Sequence, residues 1–313
     1  MSSSEETGME TPAVAGKGLP SRRSMLRNGA FAGVAAVGGL LSGRRADGAE
    51  DGGFYRANKG RINQSVVSWC FNPMKVEALA QASVKMGIKS VELVPPKHWP
   101  MLKKLGLTCA ITPTHGFRTG FAHKEEQPAC IDILRKRIDE TAEAGFTSVI
   151  TFSGFRKGLS DEDAIDNMVS GFKKIVGHAE KKKVDICLEM LNSRVDVKMK
   201  GHPGYMCDKI EYALEVCKRV GSPRMKMLFD IYHVQIMEGD VIVRLRECKD
   251  YIGHYHTAGV PGRAELDDRQ ELHYTGIMKA IAETGYKGYV GQEFIPTREP
   301  LKSLNEAVRL CDV

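Results

Sequence analysis

The chain has 313 residues, of which 42% are hydrophobic and 27% are charged, and its formal net charge is +6. This composition excludes a fibrous or wholly disordered protein, and the length suits one α/β barrel of about 250 residues. The Lys and Arg residues are spread among acidic ones and form no basic stripe, so the sequence does not indicate nucleic acid binding.

Residues 1–60 are predicted to be a signal and linker outside the fold. The run SRRSML at 21–26 precedes a weakly apolar, Gly- and Ala-rich stretch at 28–43, which is too short for a stable membrane-spanning helix. This order resembles a twin-arginine export signal, which implies recognition by the twin-arginine export machinery and a periplasmic location. Since no clean A-x-A cleavage motif follows, an uncleaved membrane anchor is one alternative. A disordered tail with a chance Arg-Arg pair is another.

From Arg61 to Val313, short apolar runs alternate with longer segments of amphipathic helical spacing, which predicts βα units and a parallel sheet. A glycine separates helix from strand at positions 87, 145, 221 and 285, where a left-handed helix cap is expected. The eight predicted strands are Ile62–Trp69, Ser90–Leu93, Thr108–Pro113, Ser148–Phe152, Asp185–Glu189, Lys226–Asp230, Ile252–His256 and Tyr289–Glu293. We therefore predict a (β/α)8 TIM barrel as a single domain over residues 61–313.

The chain has eight cysteines and no CxxC pair or zinc-ribbon spacing. Several of them lie inside apolar runs. In a chain of this length, this pattern predicts buried free thiols rather than a disulfide framework.

Four of the apolar runs end on a potential metal ligand: ICLEMLN at Glu189, MLFDIYH at Asp230, YIGHYH at His256 and YVGQEF at Glu293. Each acid alone would more often belong to an ion pair. Charge in a buried strand is costly unless it is compensated, and a barrel brings the carboxyl ends of its strands to one mouth. We therefore expect the four to bind one metal ion. This oxygen-rich set suits Mn²⁺ or Mg²⁺, with Co²⁺ or Zn²⁺ as substitutes.

The runs LEMLN, FDIYHVQIMEGD, IGHYH and GYVGQEF resemble the hydroxypyruvate isomerase family and the related ketose 3-epimerases, within the xylose isomerase-like barrels. The resemblance covers nearly all of residues 61–313. It implies an isomerase of carbohydrate metabolism that acts on a small sugar or hydroxy-ketoacid. In that family the four strand-end residues bind a divalent metal, and the two glutamates also act as an acid/base pair on opposite sides of the substrate. The resemblance implies these roles for Glu189 and Glu293. Position 256 carries the His of the 3-epimerases, where the members closest to hydroxypyruvate isomerase often carry Gln. Relatives often dimerise, which implies a homo-oligomer.

Further residues are predicted to contact or enclose the substrate: His233, Arg263, Glu265, His115, Trp69 and His202. His233, Arg263 and His202 match segments that the family places near its substrate. A guanidinium can bind a carboxylate or sugar hydroxyls through two contacts. The alternatives are a buried or capping role for His233, a solvated loop charge for Arg263, and simple packing for Trp69.

Three other functions remain open. An inosose dehydratase-like lyase would share the fold but lose water. An endonuclease IV-like repair enzyme would need more strand-end histidines and a basic groove. A non-catalytic, exported sugar-binding barrel is less favoured, because all four ligands and both acid/base positions are intact.

Overall fold

The computed structural model describes residues 53–313, and a parallel sheet of seven strands lies at its centre. The strands are β1 (Asn63–Val67), β2 (Ser90–Glu92), β3 (Ser148–Thr151), β4 (Asp185–Glu189), β5 (Met225–Asp230), β6 (Ile252–Thr257) and β7 (Tyr289–Gln292). Their order across the sheet is β2-β1-β7-β6-β5-β4-β3. Because β4, β5, β6 and β7 are neighbours, their carboxyl ends lie side by side at one mouth.

The segment 108–112 closes the sheet between its two edge strands. It corresponds to the third predicted strand, and isolated parallel bridges join it to β2 through Ser90 and to β3 through Val149. The backbone N–H of Ala110 donates to the side-chain oxygen of Ser90 at 2.8 Å. This N–H therefore makes no backbone–backbone hydrogen bond with β2. The predicted (β/α)8 barrel is confirmed, with an irregular third strand.

Ten α-helices lie in the described part of the chain: α1 (Val76–Met86), α2 (Trp99–Lys104), α3 (Gln127–Glu143), α4 (Asp161–Lys173), α5 (Val176–Lys182), α6 (Ile210–Val220), α7 (Ile231–Met237), α8 (Val241–Glu247), α9 (Tyr274–Glu283) and α10 (Pro300–Cys311). The predicted apolar stripes pack into the core, as Leu79 on α1 and Ile138 on α3 do. Helices α1 and α6 end at Gly87 and Gly221, each with a left-handed φ of 75°.

All eight cysteines lie among the described residues, and each is buried and unpaired. The prediction of buried free thiols is confirmed. These side chains fill core space as small apolar groups.

Residues 54–59 precede β1 and contact the end of the chain. The hydroxyl of Tyr55 donates to Asp312 Oδ2 at 2.7 Å, and the backbone N–H of Asn58 donates to the same oxygen at 2.9 Å. The predicted twin-arginine signal lies outside the described residues. Within residues 53–313, no helix is long and apolar enough to cross a membrane.

Candidate metal centre and cavity

The four predicted metal ligands lie at adjoining strand ends. Glu189 and Asp230 are the last residues of β4 and β5, His256 is the penultimate residue of β6, and Glu293 directly follows β7. One ligand atom from each lies within 4.8 Å of the others, and all four side chains are buried. The barrel therefore assembles these residues into a candidate metal centre.

Two polar atoms of this centre, Asp230 Oδ2 and His256 Nδ1, are buried without a hydrogen-bond partner among residues 53–313. The other carboxylate oxygen of Asp230 accepts from the backbone N–H of Tyr232 at 2.8 Å, because Asp230 is also the N-cap of α7. A buried, unpaired carboxylate oxygen is costly, and a cation would remove that cost. With three carboxylates and one imidazole, the residues fit a divalent metal ion.

The three carboxyl groups of the centre have different pKa values because their surroundings differ. Burial raises the pKa of Glu189. Burial together with the negative charge of Glu293 raises the pKa of Asp230 to about 8. Burial acts in the same direction on Glu293, but the positive charges of Arg263 and His256 outweigh it and lower the pKa of Glu293. The crowded carboxylates favour a positive charge between them.

Arg263 supplies positive charge at the edge of the centre. Its side chain is 4% exposed, and its Nη2 donates to Glu293 Oε2 and lies 3.8 Å from Asp230 Oδ2. The guanidinium carbon lies 5.3 Å from the ring centre of Trp69 and 5.6 Å from that of Tyr232. Arg263 therefore lines the cavity and also donates to one of the two glutamates, and its contact with a substrate stays a prediction.

His233 lies on α7, one turn after Asp230. Its Nδ1 accepts from the backbone N–H of Asn192 at 2.9 Å, which leaves the proton of the neutral ring on Nε2. That Nε2 lies 3.6 Å from Asp230 Oδ2. Burial lowers the pKa of His233 well below its ordinary value, so the neutral form is favoured.

A cavity of about 770 Å³ opens above the centre. Its lining includes the predicted residues Trp69, His115, His202, Glu189, Arg263 and Glu293. The ring of His202 contacts that of Phe117, with 4.3 Å between their centres. Burial and, next, the charge of Arg263 lower the pKa of His202 to about 4. Neutral rings therefore form part of the cavity wall.

The structure does not bring Glu265 to this cavity. Its carboxylate accepts from the backbone N–H and the hydroxyl of Thr297, both at 2.8 Å, and from the hydroxyl of Ser303 at 2.9 Å. These bonds tie the loop after β6 to the start of α10. One residue, Ala264, separates Arg263 from Glu265 in an irregular loop, where strand alternation does not fix which side chains share a direction.

Beside or beneath the centre, His254 and Asn192 were not among the predicted site residues, and neither was Phe117 in the lining of the cavity. His254 precedes His256 by two positions on β6, so strand periodicity could have placed both on one face. Asn192 and Phe117 lie outside the helices and strands, where no periodic signal could have identified them.

A sequence profile described as "Xylose isomerase-like TIM barrel" matches residues 80–312. The chain belongs to this family. The matched range includes β2 to β7 and every residue of the candidate metal centre.

Curated relatives of this xylose isomerase-like barrel are named as isomerases. The 2-oxo-tetronate isomerase of Cupriavidus necator is 37% identical over 113 residues, which are 36% of this chain and 41% of that protein. The enzyme of the same name from Pectobacterium atrosepticum is 26% identical over 69% of this chain and 85% of its own length. The hydroxypyruvate isomerase of Escherichia coli K12 is 30% identical over 44% of this chain and 51% of its length. The first and third alignments thus span about half of the relative.

Solved structures share the fold at lower identity. An AP endonuclease, family 2, from Brucella melitensis has a TM-score of 0.68 at 24% identity, covering 78% of this chain and 97% of its own. D-psicose 3-epimerase from Clostridium cellulolyticum H10, solved with D-tagatose, has a TM-score of 0.65 at 15% identity, covering 80% of this chain and 97% of its own. At these identities the likeness shows the fold alone.

Proposed function

We propose that this xylose isomerase-like barrel is a divalent-metal-dependent isomerase that acts on a hydroxy-ketoacid or a ketose. The proposal rests on one observation: the ligand atoms of Glu189, Asp230, His256 and Glu293 converge in a buried centre. Its support lies in the names of the relatives, which are hydroxypyruvate isomerase and 2-oxo-tetronate isomerase.

The proposed ion is Mn²⁺ or Mg²⁺. Three of the four ligands are carboxylates, which suit these hard cations, and one imidazole is compatible with Mn²⁺. Co²⁺ and Zn²⁺ are substitutes that the same donors would accept.

The two glutamates are proposed to carry the proton transfer. When bound, the cation would stabilise the negative charge that develops on the substrate oxygens as an enediolate forms. Glu189 and Glu293 come from β4 and β7, which two other strands separate, so a substrate between them meets a carboxyl group on each side. One carboxylate takes the proton beside the carbonyl, and the other carboxyl group returns a proton to the neighbouring atom. General acid–base help of this kind contributes about 10²–10⁴-fold.

A hydroxy-ketoacid is favoured by positive charge along the cavity. Arg118 and Lys198 are exposed and line it, and Arg263 lies beside the metal centre. Such charges attract and bind a carboxylate.

A ketose 3-epimerase is the second candidate. His256 matches the residue of that group, and a cavity of about 770 Å³ leaves room for a substrate larger than a three-carbon acid. An inosose dehydratase-like lyase would share the first proton abstraction, so the products must be identified and not only substrate loss.

Elemental analysis of the purified full chain tests the metal site. We expect one divalent ion per chain in the wild type, and loss of that ion in Glu189→Gln and Asp230→Asn. Glu271→Gln is the matched control, since Glu271 is exposed and its carboxylate accepts from Gln235 at 3.0 Å, outside the ligand set. If the wild type binds no ion after reconstitution, the metal-dependent reaction is excluded and a sugar-binding barrel becomes the better interpretation.

A product screen with hydroxy-ketoacids and ketoses then distinguishes the enzyme candidates. Isomerised acid supports the first candidate, an epimer at carbon 3 supports the second, and a dehydrated product supports the lyase. A metal-loaded wild type that transforms none of these compounds would contradict the proposed activity.

We also propose export through the twin-arginine route, from the SRRSML run at 21–26, which lies outside the described residues. A full-length reporter fusion should reach the periplasm. A fusion with Arg22→Lys and Arg23→Lys, and one that begins at Arg61, should stay in the cytoplasm. Export of either of these two fusions would contradict the proposal.

A further inference from the structure

We propose that Glu92 is a positioning residue that fixes the ring of His256 with Nδ1 toward the metal centre, with His254 and Gly291 as its structural support. The inference rests on the proposed metal site and adds a second layer of residues behind it. It concerns the interior of the barrel, beneath the cavity that would hold the substrate.

Glu92 reaches His256 across the inside of the barrel. It is the last residue of β2, which is not a neighbour of β6 in the sheet. Its Oε1 lies 2.9 Å from His256 Nε2 and also 2.9 Å from His254 Nε2. The three side chains are at most 1% exposed. One carboxylate oxygen thus contacts both histidines of the HYH run.

The contact determines which nitrogen of His256 carries the proton. A carboxylate oxygen only accepts, so Nε2 is the donor toward Glu92. When a cation occupies the centre, the ring would lose its second proton and present the lone pair of Nδ1, which lies 3.1 Å from Glu293 Oε2 and 3.4 Å from Glu189 Oε1. Metal-binding histidines commonly donate their second ring N–H to a carboxylate in this manner, which sets the orientation of the ring.

His254 holds the carboxylate from a second direction. Its ring is perpendicular to that of His256, at 89°, with 5.0 Å between the ring centres. Two ring N–H donors restrict the Oε1 atom of Glu92 more than one donor would. The pair therefore limits rotation of both Glu92 and His256.

Gly291 provides the space for this arrangement. It pairs with His256 in the register of β6 and β7. A Cβ atom added at Gly291 would lie 2.2 Å from Glu92 Oε1 and 2.9 Å from His256 Cδ2. Since its φ is not in the left-handed region, the close approach of Glu92 is what requires a glycine here. Any side chain at 291 would have to displace the carboxylate or the imidazole.

The first test measures Mn²⁺ affinity by calorimetry in Glu92 variants. Glu92→Gln keeps an oxygen that accepts from both rings, whereas Glu92→Met keeps the size and removes the acceptor. We expect the Kd to rise about 10–100-fold in Glu92→Met and less in Glu92→Gln. Glu265→Gln is the control, because it alters another buried carboxylate, which accepts from Thr297 and Ser303 away from the cavity. Wild-type affinity in Glu92→Met would overturn the proposal.

Two further measurements test the proposal even if Glu92→Met does not fold. Gly291→Ala should weaken Mn²⁺ binding by a similar factor, because it displaces Glu92. Nitrogen-15 NMR of the wild type with the diamagnetic ion Mg²⁺ or Zn²⁺ should show the proton of His256 on Nε2. A proton on Nδ1, or two Mn²⁺ ions per chain with the second held by Glu92 and the histidines, would overturn the positioning role. Failure of the wild type to bind any ion would instead contradict the proposed function.

Discussion

The two carboxylate oxygens of Asp230 have separate tasks. One caps α7 by accepting from the backbone N–H of Tyr232, and the other lacks a hydrogen-bond partner within residues 53–313 and faces the candidate metal centre. A substitution of Asp230 that keeps the capping oxygen but removes the negative charge should therefore abolish metal binding and leave the helix cap intact.

We predict that Asp230→Asn and Asp230→Ala both lose Mn²⁺ binding but differ in stability. Asn retains an oxygen for the cap, whereas Ala does not, so the free energy of unfolding of Asp230→Ala should be about 1 kcal/mol lower than that of Asp230→Asn. Urea unfolding and calorimetry measure the two effects. Ser160→Ala is the control, since Ser160 caps α4 by accepting from Asp163 N at 3.1 Å and lies outside the centre. Equal stability of the two Asp230 variants would mean that the cap contributes nothing.

At the scale of elements, the strands that carry the site were the predictable part. An acid at the end of a short apolar run is costly in a core, and this made Glu189 and Asp230 recognisable without a structure. The irregularity of segment 108–112 could not be predicted from the sequence. One of its backbone N–H groups donates to the side-chain oxygen of Ser90, and hydrophobic periodicity carries no information about such a bond. Glu265 shows the other limit. In a loop, neighbours in sequence do not share a face, and this carboxylate fastens α10 and does not enter the cavity.

The caps of α1 and α6 offer a matched pair of glycines, since Gly87 and Gly221 both have a φ of 75°. We predict that Gly221→Ala costs about 1–2 kcal/mol of unfolding free energy from the left-handed backbone alone. Gly87→Ala should cost more, because its Cβ would lie 2.8 Å from the backbone oxygen of Ala57, whereas at Gly221 the nearest atom is 3.8 Å away. Urea unfolding compares the two, and limited proteolysis reports release of residues 54–59. Equal losses of unfolding free energy in the two variants would contradict the close packing of residues 54–59 against Gly87.

The end of α7 and the start of α6 share a carboxyl pair that should give a pH-dependent stability. Glu238 Oε2 accepts from the backbone N–H of Ile210 at 3.1 Å. Burial and, next, the hydrogen bond with Glu211 raise the pKa of Glu238 from 4.5 to about 7. The folded state therefore binds more protons than the unfolded state between these two values, so stability falls as the pH rises through this window.

We predict that Glu238→Gln removes this slope. The free energy of unfolding of the wild type, measured in a chelator, should decrease from pH 4.5 to pH 7 relative to that of the variant. Subtracting the variant isolates Glu238 from the other titrating groups. Glu215→Gln, an exposed change on helix α6, which also carries Glu211, should keep the wild-type slope. If the unfolding free energies of the wild type and Glu238→Gln change with pH in parallel, the raised pKa of Glu238 does not contribute to stability, and the prediction is wrong.

At the scale of the whole molecule, a cation at the mouth would join four consecutive members of the sheet, β4 to β7. The unfolded chain holds these ligands far apart in sequence, from Glu189 to Glu293, so only the folded barrel assembles the complete set. A ligand that binds only the folded state stabilises it by mass action. Metal binding should therefore appear as global stability and not only as activity.

We predict that Mn²⁺ at 100 times its Kd raises the free energy of unfolding by about 2.7 kcal/mol and the melting temperature by several degrees relative to a chelator. Asp230→Asn should show no such rise, because the charged ligand is gone. Ser160→Ala should melt earlier than the wild type in both conditions but keep the same Mn²⁺-dependent difference, since its cap on α4 is not part of the centre. If the wild type melts at the same temperature with Mn²⁺ and with chelator, Mn²⁺ does not bind the folded barrel in preference to the unfolded chain, and the prediction is wrong for this ion.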